Sequence, residues 1–221
     1  MSRRAVLAAV VVTAVLAGCG GQHPSARAHR TAAGTPANSS QVLVLARVLE
    51  SDFQHVGARF TATFQVNGQP VRATGRVDFR SGWGTVLVSP VGSGQGPPRQ
   101  YFWTRTRVLA QAAPGSDRYQ SEVPNEQGNP VHAMIGFINL LSAETIDNTA
   151  NISAQSPLFL GHTTIAGAPV DEFRDGGDTT MWILTGSGLL RRIYTTKMPG
   201  GMTVDLLSHE PVKIDLPPIR H

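Results

Sequence analysis

The stretch ARFTATFQVNGQPVRATGRVDF, residues 58–79, decides the fold. Apolar and polar residues alternate through it, the period of a strand with one dry face and one wet face. Asn67-Gly68 sits at its centre, where a two-residue hairpin turn of the primed type requires left-handed backbone. The turn then dictates the register. With Val66 opposite Gln69, Phe64 meets Val71, Ala62 meets Ala73 and Phe60 meets Gly75 on one face, while Thr63 meets Arg72 and Thr61 meets Thr74 on the other. A second turn at Ser81-Gly82 extends the pattern by setting Val77 against Val86 and Gly75 against Val88. Three strands therefore form an antiparallel meander, and something has to cover its dry face.

Reading outward toward the carboxy terminus, the loop SPVGSGQGPPRQ (residues 89–100) precedes further strands at 101–104, 107–111 and 119–123. Two more hairpins are expected near the end of the chain. Strands 181–184 and 189–195 flank Gly186-Ser187-Gly188, and strand 202–207 follows the turn at Pro199-Gly200-Gly201. Between these halves Asn129 and Pro130 make a helix start. Val131, Met134, Ile135, Ile138 and Leu141 form one apolar stripe on that helix, with Phe137 and Leu140 off it, so the helix is apolar nearly all round and is expected to be enclosed. On the amino-terminal side, Asn38 and Gln41 have the spacing of a capping box. Val42, Leu45, Ala46, Leu49 and Phe53 follow at helical spacing, ending near residues 55–57.

The chain opens with Ser2-Arg3-Arg4 and an apolar run from Ala5 to Ala17, followed by VLAGCGGQ, residues 15–22. Such a run is shorter than the roughly 20 residues a membrane-spanning helix needs and has the layout of an export signal. Leu16-Ala17-Gly18-Cys19 resembles the bacterial lipobox, in which a peptidase cuts before the cysteine and the thiol receives a diacylglycerol. That implies a signal peptide over residues 1–18 and a lipidated Cys19 on the extracytoplasmic face of the cell membrane. Residues 19–38, rich in Gly, Pro, Ser, Thr and Ala, read as a flexible tether. The single domain is expected over residues 39–221, and it has to fold without disulfides because the chain has 1 Cys. Removing Arg3 and Arg4 leaves 17 basic against 15 acidic residues, a nearly neutral chain with no dense basic face for nucleic acid.

Chemistry-bearing constellations are missing from the sequence. Gly92-Ser93-Gly94 and Gly186-Ser187-Gly188 lack the spacing of a nucleophile elbow. The 7 His never fall at metal-ligand spacing. His209-Glu210 after Ser208 reads as a loop, since neighbouring residues on a strand point to opposite faces. Asp171, Glu172, Asp175 and Asp178 around Gly176-Gly177 read as a solvated turn, lacking the period of a calcium loop. No phosphate-binding loop occurs, and Asn151-Ile152-Ser153 matches a glycosylation acceptor, but the lipobox resemblance points to a bacterium, where that match means little. No enzyme activity, metal or cofactor is expected.

The order of elements resembles the actinobacterial LppX/LprG-type lipoproteins, which share a fold with the lipoprotein carrier LolA. The residues that carry the resemblance are the lipobox at Cys19, the helix and long meander from Phe60 to Val88, Gly167 with Glu172-Phe173, and Met181-Trp182-Ile183-Leu184. Gly188-Leu189-Leu190-Arg191 and the ending Pro211-Val212-Lys213-Ile214-Asp215-Leu216-Pro217 complete it. The resemblance implies an α+β fold, a strongly curved antiparallel half-barrel with helices packed on its concave side, enclosing a cavity for acyl chains of envelope lipids or glycolipids. The expected walls are Phe60, Ala62, Phe64, Val77, Phe79, Val86 and Val88 from the sheet and Met134, Ile135 and Ile138 from the helix. The small residues Ala62, Ala73 and Gly75 on that face are expected to leave room for a ligand. The alternative is an envelope scaffold whose core is filled. In either case an envelope transporter or a cell-wall component is the partner to expect.

Overall fold

The computed structural model of the protein describes residues 34–92 and 96–218. The signal segment, Cys19 and the tether up to residue 33 lie outside the described residues. In chain order the elements are β1 (Thr35–Pro36), α1 (Ser39–Gln54), β2 (Gly57–Val66), β3 (Gln69–Asp78), β4 (Trp83–Pro90), β5 (Arg99–Trp103), β6 (Val108–Gln111) and β7 (Tyr119–Glu122). Then come α2 (Pro130–Asn139), α3 (Thr149–Ala154), β8 (Leu158–Ile165), β9 (Ala168–Arg174), β10 (Thr179–Leu184), β11 (Leu190–Thr195) and β12 (Met202–Ser208). The strands make one 12-stranded antiparallel sheet in the order β1-β8-β9-β10-β11-β12-β2-β3-β4-β5-β6-β7.

The β2–β3 hairpin has the register its turn dictates: Val66 opposite Gln69, Phe64 opposite Val71, Phe60 opposite Gly75. Asn67 and Gly68 adopt φ of 51° and 75°, the left-handed pair a primed turn needs. The next turn departs from expectation. Val77 pairs with Gly84 and Gly75 with Val86, two residues from the sequence-based register. Asp78 is the cause. Its Oδ1 accepts from the N–H of Arg80 at 2.9 Å and of Ser81 at 3.2 Å, and its carbonyl accepts from Gly82 N–H at 2.9 Å, so residues 79–82 together form the turn. A slip of two preserves the faces, and Phe79 moves off the strand into the turn while staying buried.

Along β2 the inward residues Ala58, Phe60, Ala62 and Phe64 are buried, and Arg59, Thr63 and Gln65 are exposed. Helices cover that dry face. Leu45 and Val48 of α1 and Met134, Ile135 and Ile138 of α2 share one apolar cluster with Phe60, Val86, Leu190 and Met202 of the sheet. The fold is thus α+β, an antiparallel sheet with helices against one side. Both helix starts follow the sequence. Asn38 Oδ1 accepts from Gln41 N–H at 3.0 Å while Gln41 Oε1 accepts from Asn38 N–H at 2.9 Å. Asn129 Oδ1 accepts from Val131 N–H at 2.9 Å, with Pro130 as the first helical residue.

Enclosure of the second helix is incomplete. Its predicted stripe is buried, but Phe137 is half-buried and Leu140 is 70% exposed. Sequence reasoning also left β1, α3, β8 and β9 undefined. Thr35 and Pro36 pair with Phe159 and Leu158 on β8, so the last residues of the segment read as a tether belong to the sheet edge.

Candidate functional site

The ten residues expected to wall a cavity are brought together, as neighbours in one core. Phe60, Ala62, Phe64, Val77, Phe79, Val86, Val88, Met134, Ile135 and Ile138 are each between 0% and 8% exposed and belong to the same apolar cluster. Aromatic rings occupy the space at two glycines of this face. A Cβ added at Gly75 would stand 2.8 Å from the Phe60 ring, and one added at Gly84 would overlap the Trp103 indole. Glycine in a strand interior often marks such a close approach. The Phe60 and Trp103 rings lie 6.4 Å apart, and Trp103 Nε1 donates to Asn139 Oδ1 at 3.1 Å, locking α2 onto β5.

An apolar cleft of about 200 Å³ lies elsewhere, between the helices and the β10–β11 pair. Leu45, Val48 and Leu49 of α1 face it, with Phe137, Leu140 and Leu141 from α2 and its C-terminal end. Ile152 of α3, Met181 of β10 and Ile193 of β11 complete the apolar lining. The connection after α2 is tied along α1, since Ala143 N–H donates to Leu49 O at 3.0 Å and Asp147 N–H to Ala46 O at 2.9 Å. None of the ten predicted wall residues lines this cleft. The sequence did contain a signal for it: Phe137 and Leu140, the apolar residues off the α2 stripe, are cleft residues. Phe79 lines a different and more polar hollow of about 340 Å³, shared with Phe53, Arg105, Asn139 and Glu144.

A buried polar cluster ties α1 to the end of β12. Asp52 is fully buried, and its Oδ1 accepts from Leu190 N–H at 3.2 Å. His209 Nε2 lies 3.3 Å from the same oxygen, close enough for charge attraction but outside hydrogen-bond alignment, while Asp52 Oδ2 is buried without a partner. Burial holds the Asp52 carboxyl above its ordinary range, outweighing the neighbouring imidazole and the Leu190 N–H. Ser208 Oγ is buried with no hydrogen-bond partner, so the Ser-His-Asp contacts of a hydrolase do not assemble. His132 is likewise buried. Its Nδ1 accepts from Asn125 N–H at 3.0 Å, which places the proton on Nε2, 3.2 Å from Glu122.

The acidic cluster at the β9–β10 turn is internally bonded. Asp175 Oδ1 accepts from Gly177 and Thr179 N–H, Asp178 Oδ1 from the Thr196 hydroxyl, and Asp171 Oδ1 from the Thr185 hydroxyl at 3.1 Å, with the His162 Nδ1 at 2.6 Å. Among the described residues no group of three His, Cys, Asp or Glu side chains is placed to hold a metal ion, and no helix is long and apolar enough to cross a membrane.

No family model matches the chain, and no curated protein does. Among solved structures, the chain is similar to an uncharacterized conserved protein from Thermus thermophilus at 10% identity. That likeness covers 80% of this chain and 90% of that one, with a TM-score of 0.43.

Proposed function

We propose that this chain is a non-enzymatic lipoprotein, anchored through Cys19 to the extracytoplasmic face of the membrane, that binds an acyl chain in the α1–α2–β10–β11 cleft and carries it within the envelope. On this reading the sheet is a LolA-like half-barrel and the cleft is the entrance on its helical side. The observation that carries the proposal is the apolar cleft, opening where the helical layer leaves Leu140 uncovered. Its roughly 200 Å³ exceeds an engineered 150 Å³ apolar cavity that takes up benzene, and falls below the ~300 Å³ of ordinary ligand pockets. As it stands the cleft holds a segment of an acyl chain, and a longer chain enters as α1 and α2 part from β10 and β11. At about 0.8 kcal/mol per buried CH2, five methylenes contribute roughly 4 kcal/mol, the equivalent of a Kd of only about 1 mM, so firm capture depends on the longer chain that the parted helices admit.

Residues 33–221 form one compact unit that holds the core found among the described residues, so this fragment can be tested alone. Extraction of the purified fragment with organic solvent, followed by mass spectrometry, is expected to release lipid in stoichiometric amount. Met181→Trp, which fills the cleft, is expected to abolish that yield and leave the fold intact. Repeated empty preparations that also take up no acyl probe overturn the proposal. The close packing of Phe60 on Gly75 and Trp103 on Gly84 favours the second reading, an envelope scaffold with a filled core. In that case partners dock on the loops and no lipid is moved.

A further inference from the structure

The cleft has a charged rim, and the inference drawn from it rests on the lipid-binding reading above. Asp147, from the connection after α2, and Asp175, from the β9–β10 turn, both line the cleft, as do Gln155 and Thr179. The backbone fixes both carboxylates. Asp175 Oδ1 accepts from Thr179 N–H at 2.8 Å and Gly177 N–H at 3.2 Å. Asp147 Oδ1 accepts from Asn148 N–H at 2.6 Å, and the Asp147 N–H is itself bound to α1. Each carboxylate has a second oxygen beyond the one its own turn occupies. Among the described residues that line the cleft there is no Lys, Arg or His.

An amphiphile whose tail enters between Leu49, Phe137 and Met181 therefore presents its head to acceptors and negative charge, with no cation to meet an anion. Carboxylates accept hydrogen bonds and do not donate them, so at Asp147 and Asp175 only a donor-bearing head is paired, while Gln155 and Thr179 offer neutral groups that donate as well as accept. A phosphate or carboxylate head is repelled by both carboxylates and meets no lining cation, the kind of repulsive element by which sites discriminate. We infer that the cleft selects acyl amphiphiles with a donor-bearing, non-anionic head, an ammonium or a polyol, against those with a phosphate head.

The test uses residues 33–221 loaded with the uncharged fluorophore N-phenylnaphthylamine and displaced by dodecylammonium, dodecyl maltoside or dodecyl phosphate, each below its micelle threshold. At low ionic strength dodecylammonium is expected to displace the probe at about tenfold lower concentration than dodecyl phosphate, from attraction and repulsion of about threefold each at partly exposed carboxylates, and the uncharged maltoside at about threefold lower concentration. Half-molar salt is expected to remove the part of each preference that is attraction or repulsion of charge and to leave for dodecylammonium and the maltoside only what hydrogen bonding supplies, which separates point charge from hydrogen bonding. Asp147→Asn with Asp175→Asn keeps the oxygens that cap the turns, and is expected to bring the three heads within about threefold of one another at an unchanged melting temperature. If dodecyl phosphate competes as well as the others, or the double variant keeps the full preference, the head-group inference is overturned and acyl binding stands. If none of the three displaces the probe, acyl binding itself is overturned, and the inference goes with it.

Discussion

At the scale of single residues, the dry face is built on two glycine–aromatic notches. Gly84 lies opposite Trp103 on β5, and the indole, buried and bonded to Asn139, fills the space a side chain would take. Gly84→Ala forces the ring or the strand to move, and the expected loss is about 3 kcal/mol, the upper end for overpacking. Urea denaturation measures it, and the same change made on a Trp103→Leu background is expected to cost at least about 1 kcal/mol less, because the two residues share one volume. The Asp52 carboxyl gives a pH signature. Burial raises it above the ordinary 3.8, so the stability it contributes is complete below that value and is lost as pH climbs through the folded value. Asp52→Asn cannot titrate. The stability of the variant relative to the native protein is therefore expected to rise with pH across that window, and a flat difference in urea unfolding from pH 3 upward would show that the carboxyl is not held in its acid form.

At the scale of elements, α1 does three jobs. It covers the dry face, places Asp52 under β11, and supplies one wall of the cleft. Its start depends on the reciprocal bonds between Asn38 and Gln41. Asn38→Ala is expected to cost about 1 kcal/mol in thermal unfolding, the usual value of an N-cap, and Asn38→Ser to restore most of it. These elements differ in how much of them could be read from sequence. The β2–β3 hairpin was legible residue by residue because a two-residue primed turn and a period of two together leave one register. The β3–β4 turn was displaced by two because Asp78 caps a longer turn with its own side chain, a local bond that periodicity does not record. β8 carries no clean alternation, since four of its residues are half-buried in succession and three exposed follow, and so its strand character was hidden.

At the scale of the whole molecule, the candidate site was the least legible feature. Periodicity marks the residues that leave water, and Phe60, Val86 and Met134 did so, but it does not separate a side chain that meets another from one that borders a cleft. The cleft arises where α1, the α2 terminus and β10–β11 fail to close on each other, a junction of segments far apart in sequence in which no local pattern is at work. Hydrogen exchange separates the two locations. In the free protein the amides of β2 and β3, deep inside the sheet order, are expected to exchange last, and those of the edge strands β1 and β7 first. Adding saturating dodecyl maltoside is expected to slow exchange in α1, in the connection over residues 141–148 and in β10–β11, by as much as the roughly 2.7 kcal/mol that binding at a hundredfold excess over Kd supplies. The β3–β4 amides lie under the glycine–aromatic notches, no residue of β3 or β4 lines the cleft, and these amides are expected to keep their rates. Protection appearing at β2–β4 instead would place the acyl chain among Phe60, Val77 and Val86. The rings that now rest on Gly75 and Gly84 would then have to swing aside to admit it.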